Sequence, residues 1–90
     1  MKPEFDPAKN AQNIEKHGID FETFEGFDEE PQVLKDTRQD YGESRFRAFG
    51  YIDGVAHCLV FTQRGNAIRL ISLRRAHQKE IRRYEQYRQN

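Results

Sequence analysis

The spacing of apolar positions changes along the chain, and each change marks an element. From Pro7 to His17 the apolar residues are sparse (Ala8, Ala11, Ile14), which predicts a helix lying on the surface. Asp6 is placed to cap its free N–H groups, and Pro7 sits where its missing N–H costs nothing. Gly18 is placed as the left-handed residue that ends it. A short edge strand is expected ahead of it, from Lys2 to Asp6. Asp20 reads as a second N-cap, opening a short helix with Phe21, Phe24 and Phe27 on one face, and Pro31 prevents its continuation.

Beyond Pro31 the period shortens to that of strands. Gln32–Thr37 is the first, followed by a polar loop from Arg38 to Glu43. Ser44–Ile52 alternates, with Phe46, Ala48, Gly50 and Ile52 on one face and Arg45, Arg47, Phe49 and Tyr51 on the other. Asp53–Gly54 is a two-residue hairpin signal, leading into a strand over Val55–Gln63. Arg64–Gly65–Asn66 makes a second tight turn. Ala67–Leu73 is apolar on both faces, as a central strand should be. The chain closes with a helix over Ala76–Arg88, rich in Arg and Glu, with Tyr84 and Tyr87 as its apolar contacts. The predicted order is two N-terminal helices, a four-stranded antiparallel sheet and a C-terminal helix, an α+β fold in one domain covering residues 1–90.

Composition makes that core small. Hydrophobic residues are 36% of the chain and mean hydropathy is −1.02, so seven Phe and four Tyr must supply much of the buried area. Cys58 is the single cysteine, which excludes an internal disulfide and suits the cytosol. No stretch reads as a signal peptide or approaches the ~20 apolar residues of a membrane span. A cytoplasmic protein is expected.

The net charge of zero hides a strong asymmetry. Residues 1–43 carry 5 Lys/Arg against 12 Asp/Glu, a balance of −7, and residues 44–90 carry 10 against 3, a balance of +7. Nine of those ten cations are Arg, which forks onto phosphates and stacks on bases. The basic half suits a polyanion, or else the two halves neutralise each other in the folded domain.

Three blocks of sequence carry a resemblance. The first is Phe5–Asp6–Pro7–Ala8–Lys9, Asn13, then Lys16–His17–Gly18–Ile19–Asp20–Phe21–Glu22. The second is Gly42–Glu43–x–Arg45–Phe46, Gly50, and Val60–Phe61–Thr62–x–Arg64–Gly65. The third is Ile68–Arg69–Leu70–Ile71–Ser72–x–Arg74–Arg75–Ala76, followed by Glu80, Arg83 and Tyr84. In order and spacing they resemble the BrnT toxins over nearly the whole chain. Leu73 departs from that pattern, standing where a small residue is commoner, and Phe5 stands where a Trp is often near. The resemblance implies a RelE-like fold and a ribonuclease that arrests translation. It further implies neutralisation by a BrnA-like antitoxin, whose ribbon-helix-helix segment binds DNA, in a heterotetramer built on the antitoxin dimer.

Cleaving RNA without a metal requires removal of the 2′-OH proton, stabilisation of the charged pentacoordinate phosphate, and protonation of the leaving oxygen. His17, His57 and His77 lie in different elements, so no zinc set is legible, and no cofactor is expected. His17 is the first acid/base candidate, for its intrinsic pKa of ~6.5 and its place at a helix C-terminus; its other reading is a capping residue. Arg64, Arg69, Arg74 and Arg75 form the strongest group, with Arg69 and Arg74 chosen for the transition state and Arg64 beside them in the catalytic set. Read separately they are solvated arginines, one of them paired to Glu80 or to an N-terminal carboxylate. Tyr84 offers a phenol as acid or stacking surface, or simply packs against the sheet. Lys9, Lys16, Arg47, Arg75, Arg82 and Arg83 read as phosphate-tracking charges. Cys58 and the phenylalanines Phe46, Phe49 and Phe61 read as core, and Asp28–Glu29–Glu30 as a solvated loop.

Two other classes fit the same charge pattern. One is a small nucleic-acid-binding module with no activity of its own. The other is a protein-binding domain whose basic face meets an acidic partner.

Overall fold

The computed structural model describes residues 3–89. Helix α1 (Pro7–His17) begins and ends as its sequence dictates. Asp6 Oδ1 accepts the Ala8 N–H at 2.9 Å, and Gly18, at φ 71°, returns its N–H to Ile14 O at 2.8 Å. The expected second helix is a single 3₁₀ turn, Phe21–Thr23. Asp20 caps it, its Oδ1 accepting the Glu22 N–H, but the chain is extended by Phe24 and Gly26 sits at φ 114°. Phe21, Phe24 and Phe27 nevertheless reach one core, because their rings pack there without a helix to carry them.

The sheet has five strands, where four were expected. They are β1 (Glu4–Phe5), β2 (Gln32–Asp36), β3 (Arg45–Ile52), β4 (Val55–Arg64) and β5 (Ala67–Arg75), in the order β1-β5-β4-β3-β2. The added strand is β1, which pairs parallel with β5 (Glu4 opposite Arg69, Phe5 opposite Leu70); of the strand expected over Lys2–Asp6, Lys2 lies outside the described residues. The other four form the antiparallel meander. Asp53 (φ 49°) and Gly54 (φ 78°) turn β3 into β4, as the Asp-Gly pair predicts. Helix α2 runs Gln78–Gln89, starting two residues later than expected because β5 continues to Arg75.

Apolar side chains divide between the sheet's two faces. One face buries Ala48, Leu59, Leu70 and Leu73 beneath Phe21, with Phe5, Ile19, Phe24, Phe27, Ile52 and Phe61 around them. On this side Gly50 has no room for a side chain, since a Cβ would stand 2.8 Å from Phe27 Cδ1. The other face buries Phe49, Cys58 and Val60 against Tyr84 of α2.

A bulge in β5 decides what else the second face carries. Phe61 opposes Leu70 and Val60 opposes Ser72, so Ile71 is an extra residue. Simple alternation would put Arg69 and Arg74, five apart, on opposite faces. The extra residue restores them to one face: Arg69 lies opposite Thr62 and Arg74 opposite Cys58.

Helix α1 is fastened to β5 by one side chain. Asn13 is its single buried residue among those described. The amide replaces a neighbouring strand: Oδ1 accepts the Leu73 N–H at 3.0 Å, and Nδ2 donates to Leu73 O at 2.8 Å and Ile19 O at 3.0 Å.

The Asp28–Glu29–Glu30 run is an exposed loop, as expected, and it also ties neighbouring elements together. Asp28 accepts the Asp53 and Gly54 N–H groups at 2.9 Å each, clamping the hairpin turn, and its carboxyl is held below the usual range by those bonds. Glu29 pairs with Arg88 of α2 at 2.6 Å, and Glu30 O accepts the Tyr84 hydroxyl at 3.2 Å. No helix among the described residues is long and apolar enough to cross a membrane.

Candidate active site

Arginines gather on the α2 side of the sheet, around Cys58. Arg74 lies opposite Cys58, Arg47 opposite Val60, and Arg45 opposite Thr62. Arg38 joins them from the β2–β3 loop, and Arg38, Arg47 and Arg74 all act electrostatically on the Cys58 thiol. That thiol is wholly buried, and burial outweighs the three cations, pushing its pKa up to about 11. Cys58 is therefore an inert floor, as its mid-strand position suggested.

Two of these cations are braced by carboxylates. Asp36, buried at the end of β2, takes Arg38 Nε at 2.8 Å and Nη2 at 2.7 Å, and also the Tyr41 hydroxyl at 3.1 Å. The Arg38 guanidinium holds the Asp36 carboxyl far below the ordinary range despite its desolvation. Arg74 is forked onto Glu80, Nη1 to Oε1 at 2.8 Å and Nη2 to Oε2 at 2.9 Å, with Nη1 also donating to Arg75 O at 3.2 Å. Glu80 Oε1 in turn accepts the His77 N–H at 2.7 Å, capping the start of α2. Arg74 and this N–H lower the Glu80 carboxyl to about 2. Arg47 has a buried Nε with no hydrogen-bond partner, and its guanidinium stands 5.5 Å from the Phe49 ring.

His17 enters this site from the end of α1. It lines a cleft of about 200 Å³ with Lys9, Gln12, Asn13, Lys16, Ile71 and Ser72. Desolvation against the cleft, then the charges of Arg74 and Lys16, lower its pKa below the usual 6.5. Desolvation leads and the two cations add to it, so the lowered pKa favours the neutral imidazole near pH 7. Neutral imidazole is the form that accepts a proton.

A family model described as the ribonuclease toxin, BrnT, of type II toxin–antitoxin systems matches residues 5–80. The chain belongs to the BrnT family. No curated protein matches it. The type II class pairs such a ribonuclease toxin with a protein antitoxin.

Within this BrnT chain, the expected site residues separate into three groups. His17, Lys9 and Lys16 share one cleft, Arg74 acts electrostatically on His17 from beside it, and Arg47 meets Arg74 only around Cys58. Arg69 shares their face but lies four residues of β4 from Arg74, about 13 Å along the strand. Arg64 is at the far hairpin tip, about 20 Å from Arg74 by strand rise, and 3.9 Å from Glu43. Arg75 points to the opposite face, beside His57 and Asp53 at a separate cleft. Arg82 and Arg83 are exposed on α2. Tyr84 is 2% exposed, edge-to-face with Tyr51 and stacked on Tyr87, and its hydroxyl donates to Glu30 O. A phenol so placed packs α2 onto the sheet and does not face the cluster's solvent side. The loop arginine Arg38 went unrecognised in the sequence, though the acidic Asp36 two residues before it was its signal. Among the described residues, no three His, Cys, Asp or Glu side chains form a group that could hold a metal.

Proposed function

We propose that this chain cleaves RNA at the arginine-bearing face of the sheet without a metal ion, arresting translation as the toxin of its pair. The observation that carries the reading is the cleft lined by His17, Lys9 and Lys16, within electrostatic reach of Arg74, which stands with Arg38 and Arg47 around Cys58, in a chain of a ribonuclease-toxin family. His17 takes the 2′-OH proton of the nucleotide before the scissile bond. The 2′-oxygen attacks phosphorus, the bond to the 5′-oxygen breaks, and that oxygen is protonated from solvent, leaving a 2′,3′-cyclic phosphate. Arg74, with Arg47 and Arg38 behind it, stabilises the extra negative charge on the phosphate oxygens, where fixed cations act without reorganising. Lys9 and Lys16 hold the next phosphate in the cleft, and Arg69 extends the track along β5.

The partner follows from the same reading. A ribbon-helix-helix antitoxin of the BrnA kind covers this face, in a heterotetramer built on the antitoxin dimer, and the toxin meets DNA only through it. Inducible expression in a bacterial host tests the proposal. The wild type should stop growth and degrade RNA, Arg74→Ala and His17→Ala should be tolerated, and the product of the neighbouring gene should restore growth. A harmless wild type with intact RNA would favour a binding module without activity.

A further inference from the structure

Glu80 reads as an ordinary structural carboxylate: it caps α2 and neutralises an arginine. The donor arithmetic of Arg74 says more. A guanidinium has five N–H groups, disposed as an end formed by Nη1 and Nη2 and a side formed by Nε and Nη2. Glu80 takes the end, one oxygen on each Nη, and Arg75 O takes the outer hydrogen of Nη1. What remains among the described residues is the side: the Nε–H and the second Nη2–H, two parallel donors. That edge is itself a bidentate match for two phosphate oxygens.

The fork also fixes where this edge is. Arg74 Cβ stands on the Cys58 face, and Glu80 is held from behind by the His77 N–H at 2.7 Å. Neither partner is free to swing, with the two side chains 18% and 16% exposed. Resting on the proposed RNA cleavage at this face, we infer that Glu80 is a positioning residue, locking Arg74 so that its Nε edge meets the reacting phosphate. It touches no substrate. A bare arginine at the same place would spend its rotamer freedom on each binding event.

The proposal is tested on the purified full chain, using a single-stranded RNA oligonucleotide carrying a fluorophore and quencher. Affinity is read separately on the same oligonucleotide with 2′-deoxyribose throughout. Glu80→Gln keeps the size and one acceptor oxygen, whose two lone pairs can serve the His77 N–H and one Arg74 N–H, while its amide NH2 opposes the other Nη; Glu80→Ala removes the lock altogether. Turnover should fall ~10-fold for Glu80→Gln and ~100-fold for Glu80→Ala, with much smaller changes in KM and in affinity, as expected for a mis-set catalytic group. Arg74→Ala should fall at least as far as Glu80→Ala, and adding Glu80→Ala to Arg74→Ala should cost nothing more. Wild-type turnover in both Glu80 variants beside an impaired Arg74→Ala would overturn the positioning role. So would an additive double variant, or tighter RNA binding with unchanged turnover, which would make Glu80 a competitor of the substrate. If the wild type itself leaves the oligonucleotide intact, the proposed RNA cleavage fails, a separate result from any of these.

Discussion

Replacing Asn13 by Ala should unfasten α1 from the sheet. The amide makes three hydrogen bonds, two of them to the buried N–H and C=O of Leu73, and the residue is 4% exposed. Truncation leaves both Leu73 groups unpaired in a place water does not reach, at about 1–3 kcal/mol each. With the Ile19 carbonyl partly re-solvated, the sum is about 3–4 kcal/mol. For a domain of this size each kcal/mol shifts Tm by about 4–8 °C, so Tm should fall by some ~12–30 °C, with the urea midpoint falling in parallel. Asn13→Asp is the sharper control. It keeps the acceptor for Leu73 N–H but aims a carboxylate at two carbonyl oxygens, so it should be at least as damaging at pH 7 and recover partly in acid. Thermal melts by circular dichroism and urea titrations decide the matter. A loss under ~4 °C for Asn13→Ala, with an unmoved midpoint, would refute the claim that this side chain replaces a strand.

Three further outcomes follow from the geometry. Tyr84→Phe should cost about 1 kcal/mol through the lost bond to Glu30 O while leaving RNA cleavage intact, as urea titration and the oligonucleotide assay together would show. Glu80 has a folded pKa of about 2 against an ordinary 4.5, so it contributes stability above pH 4.5 that is lost as pH falls toward 2. That contribution is about 3 kcal/mol, and acid titration of Glu80→Gln should lack it. The acid limb of kcat/KM should have its midpoint below 6.5, because His17 is lowered by desolvation, Arg74 and Lys16, and Lys16→Ala should move that midpoint upward.

Much of the fold was legible because local signals were strong. Asp6, Pro7 and Gly18 bound α1 as written, and Asp53–Gly54 makes its turn with both residues at positive φ. What escaped was non-local. Strand β1 pairs through two residues only, and nothing within Glu4–Phe5 marks a parallel partner 65 residues further on. Phe21, Phe24 and Phe27 have helical spacing yet reach their core through an irregular segment, because tertiary packing of large rings overrode a weak local preference. At the site, the cationic half of the chain pointed to the right strands but not to which arginines meet. Alternation separates Arg74 from Arg75 correctly, whereas the Ile71 bulge, which unites Arg69 with Arg74, has no signature in the residues around it. Arg38 was hidden in a polar loop. Glu80 was legible as a possible partner for one of the arginines, but that the partner is Arg74, and the grip on the His77 N–H, needed the start of α2 to be placed.

The most direct test of the account is cleavage of a defined RNA by the purified chain in excess EDTA, with products analysed for their ends. The account predicts cleavage unaffected by the chelator, fragments ending in 2′,3′-cyclic phosphate, no cleavage when the nucleotide before the scissile bond is 2′-deoxy, and loss of activity in Arg74→Ala. Cleavage that requires a divalent ion, or that proceeds unchanged at the 2′-deoxy position, would contradict it.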